Sequence, residues 1–324
     1  MQGVLARSVS SLDLSGWTWD EKRRRYCPHA LTTALILFAA AAIAIATACT
    51  SWAYDGSLNW IFATLVMFPL IGFVLRRQGA RRLGDFVHSF GLMAAASAVA
   101  SIGGTMLAGT AFPMADRVLV RADSALFFGF DWRLAVEAAR PHESLLALAS
   151  YAYLTIKWQP VVLLALLAWT GMRDRGAKLV LAWTIALAVT TLIFPFFPAQ
   201  GGFLFFGYEP HDMAGVLDQA AWLHMGLLDG ARSGAFRTLS TTAMGGIVTF
   251  PSFHAAAAVL LGWGAWAVPL VRWPALVLNA VMFASSLLIG GHYLVDLAAG
   301  GLIAIGSIVA ARSWLAQRWT KAGV

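Results

Sequence analysis

The 324 residues are 59% hydrophobic and only 12% charged, about half the charged fraction of a soluble domain, with a mean hydropathy of +0.71. Apolar runs of about 20 residues recur along the whole length, which excludes a soluble globular chain and indicates a multi-pass helical membrane protein. The net charge of +7 is not a nucleic-acid signal here, because in a membrane protein the placement of Lys and Arg carries the information.

Residues 1 to about 29 are polar and include the run DEKRRR from Asp20 to Arg25. The preceding SLDLSGWTW fits an interfacial helix and a disordered tail equally. The first apolar run, ALTTALILFAAAAIAIATAC, follows basic residues as a signal peptide would. It is too long for a signal h-region and lacks a cleavage site, so it reads as an uncleaved span. Cys27 and Cys49 flank it; as a helix the run holds them roughly 30 Å apart, beyond disulfide reach. No Cys/His metal spacing exists in the chain.

The pattern predicts an all-α transmembrane bundle of about eight spans, near 30–49, 58–75, 86–112, 145–171, 178–197, 252–271, 274–290 and 293–312. Lys22 to Arg25, Arg76 to Arg82, Arg173 to Lys178, Arg272 and the tail Arg312, Arg318 and Lys321 then fall on one side. The alternate loops hold most of the acids: Asp55, then Asp116, Asp123, Asp131, Glu137 and Glu143, then Glu209, Asp212, Asp218 and Asp229. The positive-inside rule makes both termini cytoplasmic. Four parts follow: a cytoplasmic segment (1–29), an N-terminal membrane region (30–175), a C-terminal membrane core (176–315) and a cytoplasmic tail (316–324). Two outer segments, about 113–144 and 198–251, are long enough to read as functional. No internal repeat is visible, which weighs against a transporter built from inverted halves.

Two polar intrusions interrupt the apolar runs of the core. One is FPSFHAA, with Ser252 and His254 where a span begins; the other is GGHYLVD, with His292 and Asp296. Residues four apart share a helix face, so the Asp296 carboxylate can accept the Nδ1 proton of His292, fixing the tautomer and raising the basicity of Nε2. Both intrusions lie in the first turns of helices that descend from the same, non-cytoplasmic surface. Helix starts favour anions, Ser252 adds a hydroxyl, and Gly245-Gly246 and Gly290-Gly291 permit close approach of backbone. Two imidazoles, a carboxylate and two helix ends suit phosphoryl transfer, one histidine attacking phosphorus and the other protonating the leaving oxygen.

PSFH followed by GGHYLVD about forty residues later resembles the second and third motifs of the type 2 phosphatidic acid phosphatase (PAP2) superfamily. GIVTFPSFHAA, GGHYLVDLAAG and the preceding FPFFPAQGG are most similar to the branch of the aureobasidin-resistance inositol phosphorylceramide synthase, an inositolphosphotransferase of sphingolipid metabolism. The likeness covers roughly Leu179 to Ala311. It implies a metal-independent, cofactor-free enzyme in which His292 is the nucleophile, Asp296 orients it and His254 is the general acid. Ser252, with Gly291, would bind phosphate. The family's first motif, Lys-x6-Arg-Pro, is absent from FFPAQGGF, and the Arg expected six residues before His292 is Ser286. The synthase branch lacks these cations too, and Arg232 and Arg237 are the substitutes in the outer loop. The implied substrate is a lipid phosphate or phospholipid, with water or an alcohol or lipid as acceptor, and no nucleic acid; transferase and phosphatase both stay open.

Taken singly, His254 reads as an interfacial or packed histidine, His292 with Asp296 equally as a structural pair, and Ser252 equally as a helix cap. Their joint spacing and shared side point to catalysis. Lys157, in the middle of a span and far from that surface, reads as part of a structural pair or polar cavity. His88, His142, His211 and His224 have no partner pattern, and most Trp are interfacial anchors. Two rivals use the same residues: a hydrolase with His254, His292 and Asp296 around a metal, and a transporter using Lys157 and the His/Asp pair.

Overall fold

The computed structural model describes residues 19–109, 112–217, 220–240 and 246–320. Residues 11–18 of the proposed interfacial stretch, Gly245 and Lys321 lie outside them. The N-terminal helices are α1 (Trp19–Cys49), α2 (Asn59–Arg77) and α3 (Arg81–Ala108), with α2 and α3 packed as a hairpin. The first long outer segment folds into α4 (Asp116–Leu126) and α5 (Trp132–Ala139). Asp131 caps α5, accepting a hydrogen bond from the Arg133 N–H at 2.8 Å.

The predicted span 145–171 is not one helix. It divides into α6 (Glu143–Leu154) and α7 (Gln159–Trp169), joined by a 3-10 turn over Thr155–Lys157 and bent by 55°. Pro160 explains the break: it has no N–H to continue the helix ladder and restricts the residue before it, but is tolerated in a first turn. Next comes α8 (Arg173–Ile193), which ends in a 3-10 turn around Pro195. The second outer segment contains α9 (Gly202–Phe206) and α10 (Ala220–Ser233), and the chain closes with α11 (Phe253–Ala265), α12 (Arg272–Leu288) and α13 (Leu294–Thr320). A two-residue parallel bridge pairs Ala53–Tyr54 with Thr238–Leu239.

Helix α8 is the axis of the bundle, packed by α1, α3, α11 and α13. Leu179, Val180, Leu181, Ala182 and Ala186 have no exposed surface, as expected of a helix apolar on all sides. The outer surface is also apolar: Leu37, Phe38, Val66, Leu192, Leu302 and Val309 are each more than half exposed. Such a surface is stable against hydrocarbon and not against water.

Among the described residues, four helical stretches are long and apolar enough to cross a membrane: His29–Cys49, Arg81–Ala108, Arg173–Phe196 and Leu294–Ser313. The bent pair α6–α7 makes a fifth if it counts as one span. Helices α11 and α12 are apolar but have only 13 and 17 residues, short of the roughly 20 that span hydrocarbon. His254 lies in the first turn of α11, and His292 in the short loop between α12 and α13.

Candidate active site

Ser252 is the N-cap of α11, its Oγ accepting from the Ala255 N–H at 3.3 Å. Its own N–H donates to the Asp296 carbonyl at 3.1 Å, tying the start of α11 to α13. The two helices touch backbone to backbone there. A Cβ on Gly300 would lie 2.2 Å from the Ser252 carbonyl oxygen, so only glycine permits the crossing that brings His254 beside the His292 loop.

His292 and Asp296 meet as their spacing predicts, Nδ1 to Oδ2 at 3.2 Å, and the same oxygen accepts from the Tyr293 N–H at 2.9 Å. Asp296 is fully buried and His292 is 6% exposed. With Nδ1 committed to the carboxylate, Nε2 is the nitrogen available for chemistry. Asp296 Oδ1 is buried without a hydrogen-bond partner among the described residues. The carboxylate's charge is therefore best balanced when His292 carries positive charge.

His254 stacks on Tyr153 of α6, ring centroids 4.1 Å apart and planes 8° from parallel, with the Tyr153 hydroxyl 3.3 Å from Nδ1. A hydroxyl donating to Nδ1 leaves the ring proton on Nε2. His254 lies within electrostatic range of both His292 and Lys157. Tyr153 also borders the His292 ring. A side chain on Gly290 would sit 2.8 Å from His292 Cδ2 and 3.0 Å from the Tyr153 hydroxyl, so Gly290 leaves the space that lets the rings face each other.

The position of Lys157 corrects the sequence reading, which set it apart from this surface. The 3-10 segment that carries Lys157 follows the bend and packs against α11, the helix of His254, so this exposed ammonium is within electrostatic range of that ring. A straight span through the same residues would have held it at mid-depth.

The helix start at His292 also differs from expectation. Its N–H groups are already occupied: Leu294 and Val295 donate to Asp123 Oδ2 and Oδ1 at 2.9 and 2.7 Å. Burial pushes the Asp123 carboxyl up from its ordinary range while these two bonds hold it down. Asp116, seven residues earlier on the same face of α4, accepts from the N–H groups of Gln200 (3.0 Å) and Gly201 (3.1 Å) and from the Tyr293 hydroxyl (2.9 Å). Trp132 Nε1 donates to the His292 carbonyl at 3.0 Å, and the Gly202 N–H donates to the Gly291 carbonyl at 2.7 Å. Gly291 itself has a positive φ of 65°, a conformation glycine adopts without strain. The two outer segments thus clamp the backbone around His292.

Sequence reasoning missed Asp116, Asp123, Trp132, Tyr153 and Tyr293. The i, i+7 spacing of the two aspartates and the i, i+4 spacing of Tyr153 and Lys157 were the available signals. The contacts described for Arg232 and Arg237 run elsewhere. Arg232 donates to the Phe112 carbonyl at 2.7 Å, and the Arg237 guanidinium lies over the Trp52 ring, 5.2 Å from its centroid. Among the described residues no three His, Cys, Asp or Glu side chains converge as a metal-ligand set.

No curated protein and no solved structure matches the chain. A family model described as the PAP2 superfamily matches residues 117–310, more than half of the sequence, taking in Asp123, Tyr153 and Lys157 as well as both histidine motifs. On that match the chain belongs to the PAP2 superfamily, a group of phosphatases and phosphotransferases.

Proposed function

We propose that this protein cleaves or transfers a phosphoryl or phospho-headgroup of a lipid through a phosphohistidine on His292. The observation that carries the reading is the His292 Nδ1–Asp296 contact of 3.2 Å, which leaves Nε2 as the nucleophile beside a second imidazole. His292 Nε2 forms a bond to phosphorus as the bond from phosphorus to the lipid oxygen breaks. His254 Nε2 gives its proton to that leaving oxygen. In the second half, water or an alcohol attacks phosphorus, returns a proton to His254 and breaks the P–N bond. Ser252 Oγ and the Gly290-Gly291 turn border the phosphate, and the Lys157 ammonium is the cation best placed to hold its oxygens. Arg232 and Arg237 would have to leave their present contacts to do so.

The motif likeness favours transfer, as in the inositol phosphorylceramide synthase branch, over simple hydrolysis by a lipid phosphate phosphatase. The test is incubation of the purified protein with phosphorus-labelled phosphatidic acid or phosphoinositide, quenched at alkaline pH because phosphohistidine is acid-labile. Label should remain on the protein, and adding an acceptor alcohol should divert it from inorganic phosphate to a new ester. Turnover should survive excess EDTA. Loss of activity that zinc restores would instead favour metal-assisted hydrolysis.

The asymmetry of basic residues supports eight membrane-embedded segments, both termini in the cytoplasm and the histidines at the opposite face. A reporter fused after Gly230 should then report the non-cytoplasmic side, and one after Arg175 the cytoplasm. The reverse pattern would move the chemistry to the other leaflet.

A further inference from the structure

The end of the bundle opposite the histidines has a cavity of its own. It measures about 470 Å³ and lies between the α2–α3 turn and the α7–α8 turn, with Arg81, Arg82, Arg173 and Trp169 in its lining. Helix α8 separates it from the histidine site. Arg173 begins that helix, and the segment that ends it leads into the residues bonded to Asp116 and Gly291. Over the 21 residues of α8 the separation is roughly 30 Å.

Below this bay lies a smaller one of about 20 Å³, shared through Arg173 and lined also by His29, Asp85 and Ser89. That is room for about one water. His29 is 8% exposed, and its Nδ1 has no hydrogen-bond partner among the described residues. A polar atom left this way in a buried site normally has a water or ligand partner. Asp85 forms ion pairs with Arg173 and, at 3.4 Å, with Arg76. It orients two guanidiniums but offsets only one charge. The lining arginines Arg81, Arg82 and Arg173 against Asp85 leave an excess of two positive charges.

Basic residues at a cytoplasmic face usually serve only to orient the chain. These differ in converging on a concave space with a buried polar floor, and guanidinium forks match phosphate oxygens. The bay has an apolar flank in its own lining: Leu83 is 42% and Trp169 50% exposed. A soluble phosphate would have no use for that flank, whereas an acyl chain would lie along it.

We propose that the bay is a second phosphate site, which holds the headgroup of an anionic phospholipid from the leaflet at that end of the bundle. Basic pockets between membrane helices are suited to such headgroups. The site is independent of the histidine chemistry.

The test uses the full-length protein in phosphatidylcholine nanodiscs with a photo-crosslinking phosphatidylglycerol probe, read by peptide mapping so that lipid in the histidine site is counted separately. Label should appear on the segments around Arg81 and Trp169. Unlabelled phosphatidylglycerol should compete it away, and phosphatidylcholine should not. Arg81→Gln with Arg82→Gln should reduce labelling about tenfold, by the loss of two surface cations. Arg81→Lys with Arg82→Lys keeps the orienting charge but loses the forks, and should reduce it about threefold. Labelling unchanged within twofold in the glutamine variant would overturn the site. Glycerol phosphate competing as well as the lipid would overturn the lipid assignment.

Discussion

His292→Ala abolishes turnover of every phosphate ester offered, because without Nε2 no covalent intermediate can form. His254→Ala behaves differently with different substrates. With a lipid alkoxide leaving group it is nearly as damaging, since that oxygen must be protonated as it departs. With p-nitrophenyl phosphate, whose leaving group departs unprotonated, the loss is much smaller. The asymmetry follows from the geometry: Asp296 holds Nδ1 of His292, whereas Nδ1 of His254 faces a neutral phenol, Tyr153. In the proposed mechanism one imidazole forms the bond to phosphorus and the other gives up a proton. Alkaline-quenched label should be trapped in the His254 variant and absent from His292→Ala. Equal rescue of both variants by the activated ester would exclude His292 as the nucleophile or exchange the two roles.

Lys157→Ala lowers kcat/KM by about 10²–10³, equivalent to about 2.7–4 kcal/mol of transition-state stabilisation and comparable to removing an oxyanion donor. Lys157→Arg keeps the charge and should recover part of that loss. Because Lys157 is exposed in the bundle, its truncation opens no core cavity, and the thermal midpoint should stay close to wild type. Arg232→Ala and Arg237→Ala should remain within about threefold of wild-type activity, since their contacts are with the Phe112 carbonyl and the Trp52 ring. A Lys157→Ala enzyme within threefold of wild type, alongside an arginine variant reduced a hundredfold, would reverse this assignment of the phosphate cation.

The clamp ties the His292 loop to the first outer segment. Asp116 and Asp123 read from sequence only as acids that mark a membrane side, yet each ends up buried and bonded to backbone of the core. A carboxylate at the first N–H groups of α13 serves as a helix cap. It also removes those donors from the phosphate, so a side-chain cation becomes more important at this site than helix-start electrostatics alone would require.

The sequence by itself determined what depends on local spacing and composition. Apolar runs marked where helices form. The four-residue step from His292 to Asp296 determined that the two side chains would meet. It could not determine which distant segments close over that pair. Tyr153 reaches His254 across 101 residues, and Asp123 reaches Leu294 across 171. Such pairings leave no periodicity in the chain, because either partner is equally compatible with a solvated loop or a lipid-facing turn. The 55° bend at Thr155–Lys157 decided the rest. The segment carrying Lys157 packs against α11 instead of continuing a straight span, while the loop arginines that the family resemblance had nominated meet the Phe112 carbonyl and the Trp52 ring.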